Sequence, residues 1–182
     1  MLDPRTVQIV LADLQDGIVD ASRTNPPAAI KRAVTTLTAI AGNLGLPLTV
    51  SAAPRPGGPA NIAEIPEDAP VFVRTGPSCW DDPKGRAAID AHNRPVLALC
   101  GVTSEIVIVR TALDALASGY QVIVLVDACG GITDRTEAAA FRQIEAAGGT
   151  VSSVAGFASD MVRDFTTPQG RATIAALHSL IA

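Results

Sequence analysis

Short runs of β-branched and aliphatic residues alternate along the chain with longer stretches whose apolar positions recur every three or four residues. The runs fall at 7–11, 47–51, 71–74, 95–100 and 121–126, with a weaker one at 150–154. They are nearly continuous in apolar character, which is how strands buried on both faces of a parallel sheet read. Between them, Ile30, Val34, Leu37, Ala41 and Leu44 share one helical face, with Asn25-Pro26-Pro27 as the start signal and Gly45 as the stop. The spacing predicts further helices over 103–118, closed by Gly119, over 134–147, closed by Gly148-Gly149, and over 168–182. Repeated β–α alternation predicts an α/β fold. The expectation is one domain over 1–182 with an open, mostly parallel six-stranded sheet flanked by helices, a Rossmann-like three-layer arrangement. The stretch 52–69 breaks the rhythm: it is Pro/Gly-rich, without period, and long for a connection, the kind of loop that usually carries function.

Composition narrows the class. Of 182 residues 48% are hydrophobic and 18% charged, the reverse of a disordered chain. Net charge is −4 and the basic residues are scattered, so no basic stripe for nucleic acid is present. The apolar runs are strand-length, far short of a membrane span, and the first residues do not read as a signal peptide. Three cysteines, Cys79, Cys100 and Cys129, are an odd number without metal spacing. A cytoplasmic globular protein is expected.

Ligands of open α/β sheets bind beyond the carboxyl ends of the strands. Those tips carry Asp13 and Gln15 after the first run, Arg74, Cys79 and Trp80 after the third, Val102-Thr103 after the fourth and Asp127 to Gly131 after the fifth. The topology predicts that the acid, the guanidinium, the lone Trp and a helix start share one cleft. With the run 7–15, the block Leu99-Cys-Gly-Val-Thr-Ser-Glu-Ile106 and the stretch from Val109 to Ala128, the sequence resembles the isochorismatase-like superfamily. That superfamily includes nicotinamidases, N-carbamoylsarcosine amidases and isochorismatases. The resemblance spans roughly 7–165. Ser78-Cys-Trp-Asp81 and Ala155-Gly-Phe-Ala158 look like the oligomeric bacterial hydrolases of the group.

The resemblance implies roles for particular residues. In the amidase members an Asp at the first tip takes a thiol proton, the thiolate attacks a carbonyl, and a Lys orders the pair. Asp13 matches the Asp. The Lys position falls on Arg74, which can pair with Asp13 but cannot share its proton. The position of the nucleophilic Cys is occupied by Val107, so the usual thiol chemistry lacks its atom. The peptide between Val102 and Thr103 is expected to be cis, and the N–H groups of Thr103 and Val107 are left as a candidate oxyanion site. Gln15, Trp80, Cys79, Val102 and Thr103 are the expected substrate-binding residues. No metal or cofactor is expected: 52–69 contains no His, and His92 and His178 lie apart on helical stretches.

Three functions stand open. One is a hydrolase that acts on a small molecule without the Cys, Asp13 serving as acid or base beside Arg74. Another is a non-catalytic small-molecule-binding or oligomeric pseudoenzyme of the same family. The third is amide or nitrile hydrolysis through Cys79. A homo-oligomer is expected, because the last helix carries Ile174, Leu177, Leu180 and Ile181 beyond what one sheet face needs. No nucleic-acid or membrane partner is expected.

Overall fold

The computed structural model describes residues 1–181. Six strands form one parallel sheet in the order β3-β2-β1-β4-β5-β6. These are β1 (Val7–Ala12), β2 (Leu48–Ala52), β3 (Val71–Val73), β4 (Val96–Val102), β5 (Gln121–Gly130) and β6 (Thr150–Ser152). The expected open α/β sheet is present, and every pairing between these strands is parallel. The helices are α1 (Pro27–Leu44), α2 (Pro83–Ala91), α3 (Val109–Ala117), α4 (Asp134–Ala146), α5 (Val154–Met161) and α6 (Pro168–His178). Helices α1, α5 and α6 pack on one face and α2, α3 and α4 on the other.

Both central strands are buried along their whole length, which explains their unbroken apolar sequence. Helix α1 begins at Pro27 and closes on Gly45, as the start and stop residues require. Helices α2 and α5 lie where the sequence pattern predicts none, and α6 ends at His178, short of the expected 182; two further elements differ in kind or length. The stretch 103–118 is not one α-helix: Ser104–Ile108 is a π-helical turn, and α3 begins only at Val109. Strand β5 runs on to Gly130 because its pairing with β4 jumps from Leu99↔Val124 to Gly101↔Cys129, three extra residues on the β5 side. Asp127 therefore lies within a strand. Its carboxylate accepts the Val154 N–H (2.9 and 3.1 Å), tying β5 to the start of α5.

Among the described residues no helix is long and apolar enough to cross a membrane.

Candidate functional site

Strand order reverses between β1 and β4, since β1 leads leftward to β2 and β4 rightward to β5. At such a switch point the loops diverge and leave a crevice above the strand ends. Asp13 stands at the tip of β1 with φ +52°, a left-handed conformation that Asp tolerates better than most side chains. Its N–H donates to the Ser51 carbonyl and its own carbonyl accepts from the Gln15 N–H, both at 2.8 Å. The residue is thus fixed by β2 on one side and by a tight turn on the other.

Arg74 leaves the end of β3 with its N–H on the Ala52 carbonyl (3.1 Å) and reaches across β2 to Asp13. Arg74 Nη1 donates to Asp13 Oδ1 and Nη2 to Oδ2, each at 2.6 Å, while Nη1 also faces Ser51 Oγ at 3.4 Å. Asp13 is 7% and Arg74 4% exposed. This is a planar, two-bond, charge-assisted pair withdrawn from water. Burial draws the Arg74 pKa down, but the hydrogen bonds and charge of Asp13 outweigh it and raise the value above the ordinary one. Ser51 is a member of this cluster that the sequence did not single out; its only signal is its place as the polar residue at the tip of β2.

Across the switch point, Gly101 has φ +144°, and a Cβ there would lie 1.8 Å from the Ala12 carbonyl oxygen. The ends of β1 and β4 therefore meet backbone to backbone, which no side chain at 101 would permit. The following Val102–Thr103 peptide is cis. Val102 and Val107 are buried, and the Thr103 carbonyl accepts from the Ile106 and Ile108 N–H groups (3.2 and 3.3 Å). The Thr103 hydroxyl is buried without a hydrogen-bond partner. Ser104 Oγ donates to Glu137 Oε1 at 2.7 Å, and Glu105 Oε1 accepts from the Ile132 N–H and Thr136 Oγ1, so both side chains tie this turn to α4 and the chain before it.

The remaining expected residues are placed unequally. Cys79 is buried with its N–H on Thr111 Oγ1 (2.9 Å). Burial pushes its thiol pKa up, against the opposing pull of the Ser51 and Thr111 side chains and the Arg74 charge. It belongs to the cluster and is 2% exposed. Gln15 is spent on the backbone: Nε2 donates to the Ala53 carbonyl (3.1 Å) and the Pro59 carbonyl, and Oε1 accepts the Ala53 N–H (2.9 Å). It staples the 53–61 loop to β1, and neither N–H of its amide is left over for a ligand. Trp80 does not join the cleft that the topology predicted. Its Nε1–H donates to Ser118 Oγ (2.9 Å) and its ring stands edge-on to Tyr120, centroids 5.7 Å apart. Both partners lie near the amino end of β5. A short turn over Cys79–Asp81, capped by Ser78, turns the indole that way. Cys100 and Cys129 are fully buried. Among the described residues no three His, Cys, Asp or Glu side chains are grouped to hold a metal ion.

Residues 7–156 match the Isochorismatase domain. The chain belongs to the isochorismatase family. Its relatives include Probable hydrolase YcaC of Escherichia coli (strain K12), 29% identical over 187 aligned positions covering 97% of this chain and 88% of the relative. The structure of YcaC from Pseudomonas aeruginosa, solved with hexane-2,5-diol and covalent acrylamide, superposes with a TM-score of 0.89 at 25% identity, over 99% of this chain and 91% of that one. The crystal structure of the Escherichia coli YcaC product, an octameric hydrolase, gives a TM-score of 0.85 at 28% identity, over 99% and 88% of the two chains. This is an isochorismatase-family, hydrolase-like protein.

Proposed function

We propose that this protein is a thiol-independent member of its family that acts on a small molecule with Asp13 as the reactive carboxylate and Arg74 in the place of the family Lys. The observation that carries the reading is the buried two-bond Asp13–Arg74 pair at the switch point. Valine at 107 has no nucleophilic atom, so the covalent route through a thiol is closed there. Each Asp13 oxygen keeps a second lone pair beyond its bond to Arg74 and can take a proton from water. The resulting hydroxide adds to the substrate carbon, and the proton passes on to the leaving group as the bond breaks. Protonated Asp13 leaves the buried guanidinium without its counter-charge, so the proton is held only until it passes to the leaving group, and an Asp13 that rests protonated and starts the reaction as an acid is the weaker route.

The test is turnover by mass spectrometry over amides, carbamoyl compounds, nitriles and enol ethers, isochorismate included. Wild type is run beside Asp13→Asn and Cys79→Ala. Loss in Asp13→Asn alone is expected. Turnover undiminished in Asp13→Asn sinks the proposal, and loss in Cys79→Ala as well moves the chemistry to that thiol.

A second reading is supported by the same pair. Both Asp13 oxygens are held by a cation that never gives up its proton, which suits a site that binds and does not turn over. A ligand that co-purifies and is recovered unchanged after long incubation selects that reading.

The octameric Escherichia coli relative supports a homo-oligomer here too. Ile106 and Ile132, 50% and 52% exposed, flank the start of α3 and the end of β5 beside the site and offer apolar surface for a second copy.

A further inference from the structure

We propose that the unpaired edge of the Arg74 guanidinium is a binding site for an uncharged carbonyl oxygen, a carboxamide being the simplest ligand of that class. This rests on the reading of the Asp13–Arg74 cluster as the ligand site, and it assigns a contact within it. A guanidinium is planar and presents three edges. In Arg74 the far edge, Nη1 with Nη2, is filled by the two Asp13 oxygens, and Nη1 turns its other side to Ser51 Oγ. The remaining edge pairs Nε–H with the second N–H of Nη2, and Nε is buried with no hydrogen-bond partner. The residue is 4% exposed, so bulk water does not meet this donor freely, and an orphaned buried N–H costs free energy until an acceptor fills it.

Charge selects the acceptor. Asp13 already neutralises Arg74, so a ligand carboxylate would add an uncompensated negative charge to a desolvated pocket. A neutral carbonyl satisfies the same N–H groups and brings no charge. A carbonyl held at this edge is also polarised by the cation, which assists attack at its carbon.

Ligand-observed saturation-transfer NMR on the whole protein tests this, with acetamide and acetate as probes. Arg74→Lys is the variant, because an ammonium keeps a cation beside Asp13 and lacks the second edge. The expected result is acetamide binding to wild type, weaker by about tenfold or more in a folded Arg74→Lys, with acetate bound less well than acetamide. No acetamide binding to wild type, equal binding in the variant, or acetate bound as well as acetamide each overturns the proposal. Should Arg74→Lys fail to fold, wild-type crystals soaked in acetamide decide: a carbonyl oxygen within hydrogen-bond distance of Arg74 Nε supports the site, and acetamide elsewhere or nowhere overturns it. None of these measurements involves turnover. Turnover lost in Asp13→Asn without an acetamide site would sink this inference alone, and an acetamide site without turnover would sink only the hydrolytic reading.

Discussion

At the scale of single residues the Asp13–Arg74 pair carries both the chemistry and a structural liability. Two opposite charges lie out of water, and either one alone would be stranded there. Asp13→Ala is expected to cost about 3–5 kcal/mol because it leaves the guanidinium unpaired, whereas Asp13→Leu combined with Arg74→Met should cost much less. Urea unfolding of both variants checks this; equal losses would mean that the charges contribute through packing alone. The three thiols make a second prediction. All are buried, and burial raises each pKa. Raised values mean less thiolate at neutral pH, so alkylation of the native protein should be slow at all three and become fast only on denaturation, as intact-mass analysis with iodoacetamide would show.

The same scale shows what the sequence could and could not tell. Asp13, Arg74, Val102, Thr103 and Val107 lie at or just past strands whose ends can be read from apolar runs, and the structure gathers Asp13 with Arg74, ends the neighbouring strand β4 at Val102 and carries Thr103 and Val107 in the turn that follows it. Gln15 and Trp80 were legible as residues near the tips but not in direction. Their partners, Ala53 and Pro59 for one and Ser118 and Tyr120 for the other, lie tens of residues away and leave no local pattern.

Elements behave likewise. Helix α1 and strands β1, β2 and β4 declare themselves by start and stop residues, whereas the π-helical turn at Ser104–Ile108 has the same apolar spacing as a helix and is hidden inside one. The overrun of β5 is equally silent, since it comes from register against β4. Two predictions belong here. Gln15→Leu should strand the Ala53 N–H and two carbonyls, costing about 1–3 kcal/mol, and speed hydrogen exchange at Asp16 and Ile62, whose amides bond across the same loop to Ala60 and Leu14. Unchanged exchange there would mean that the loop holds without the amide. Asp127 gives a pH effect. Burial, opposed by the Val154 N–H, raises its pKa, so the folded state binds its proton more tightly than the unfolded state. Its contribution to stability is therefore fully present below the ordinary value of 3.8 and is lost as pH climbs through the raised one. Asp127→Asn keeps an acceptor for Val154 and should gain stability relative to wild type between pH 3.5 and 7 in paired denaturation curves.

For the molecule as a whole, strand order follows from connection rules more than from any residue. Short right-handed crossovers allow few arrangements of six parallel strands, and the observed one puts the switch point beside Asp13. Assembly is written less clearly. The last helix lies against α1, where Thr36 Oγ1 meets Ser179 Oγ, while Ile181 just beyond it is 85% exposed and Ile106 and Ile132 near the site are about half exposed. Light scattering is expected to report an oligomer that Ile106→Lys with Ile132→Lys shifts toward smaller species; a monomeric wild type at micromolar concentration would refute this.

The staple made by Gln15 has a practical use. It grips the 53–61 loop near both of its ends, at Ala53 and Pro59, while Arg55 between them donates to the Asp16 carbonyl, and it leaves Gly57 and Gly58 in open space: a Cβ at either would touch nothing within 4 Å. A fluorophore, an affinity tag or a small guest domain spliced between those glycines would hang from a rigid bracket at the rim of the site. It would report on ligand entry while leaving Asp13 and Arg74 where they stand.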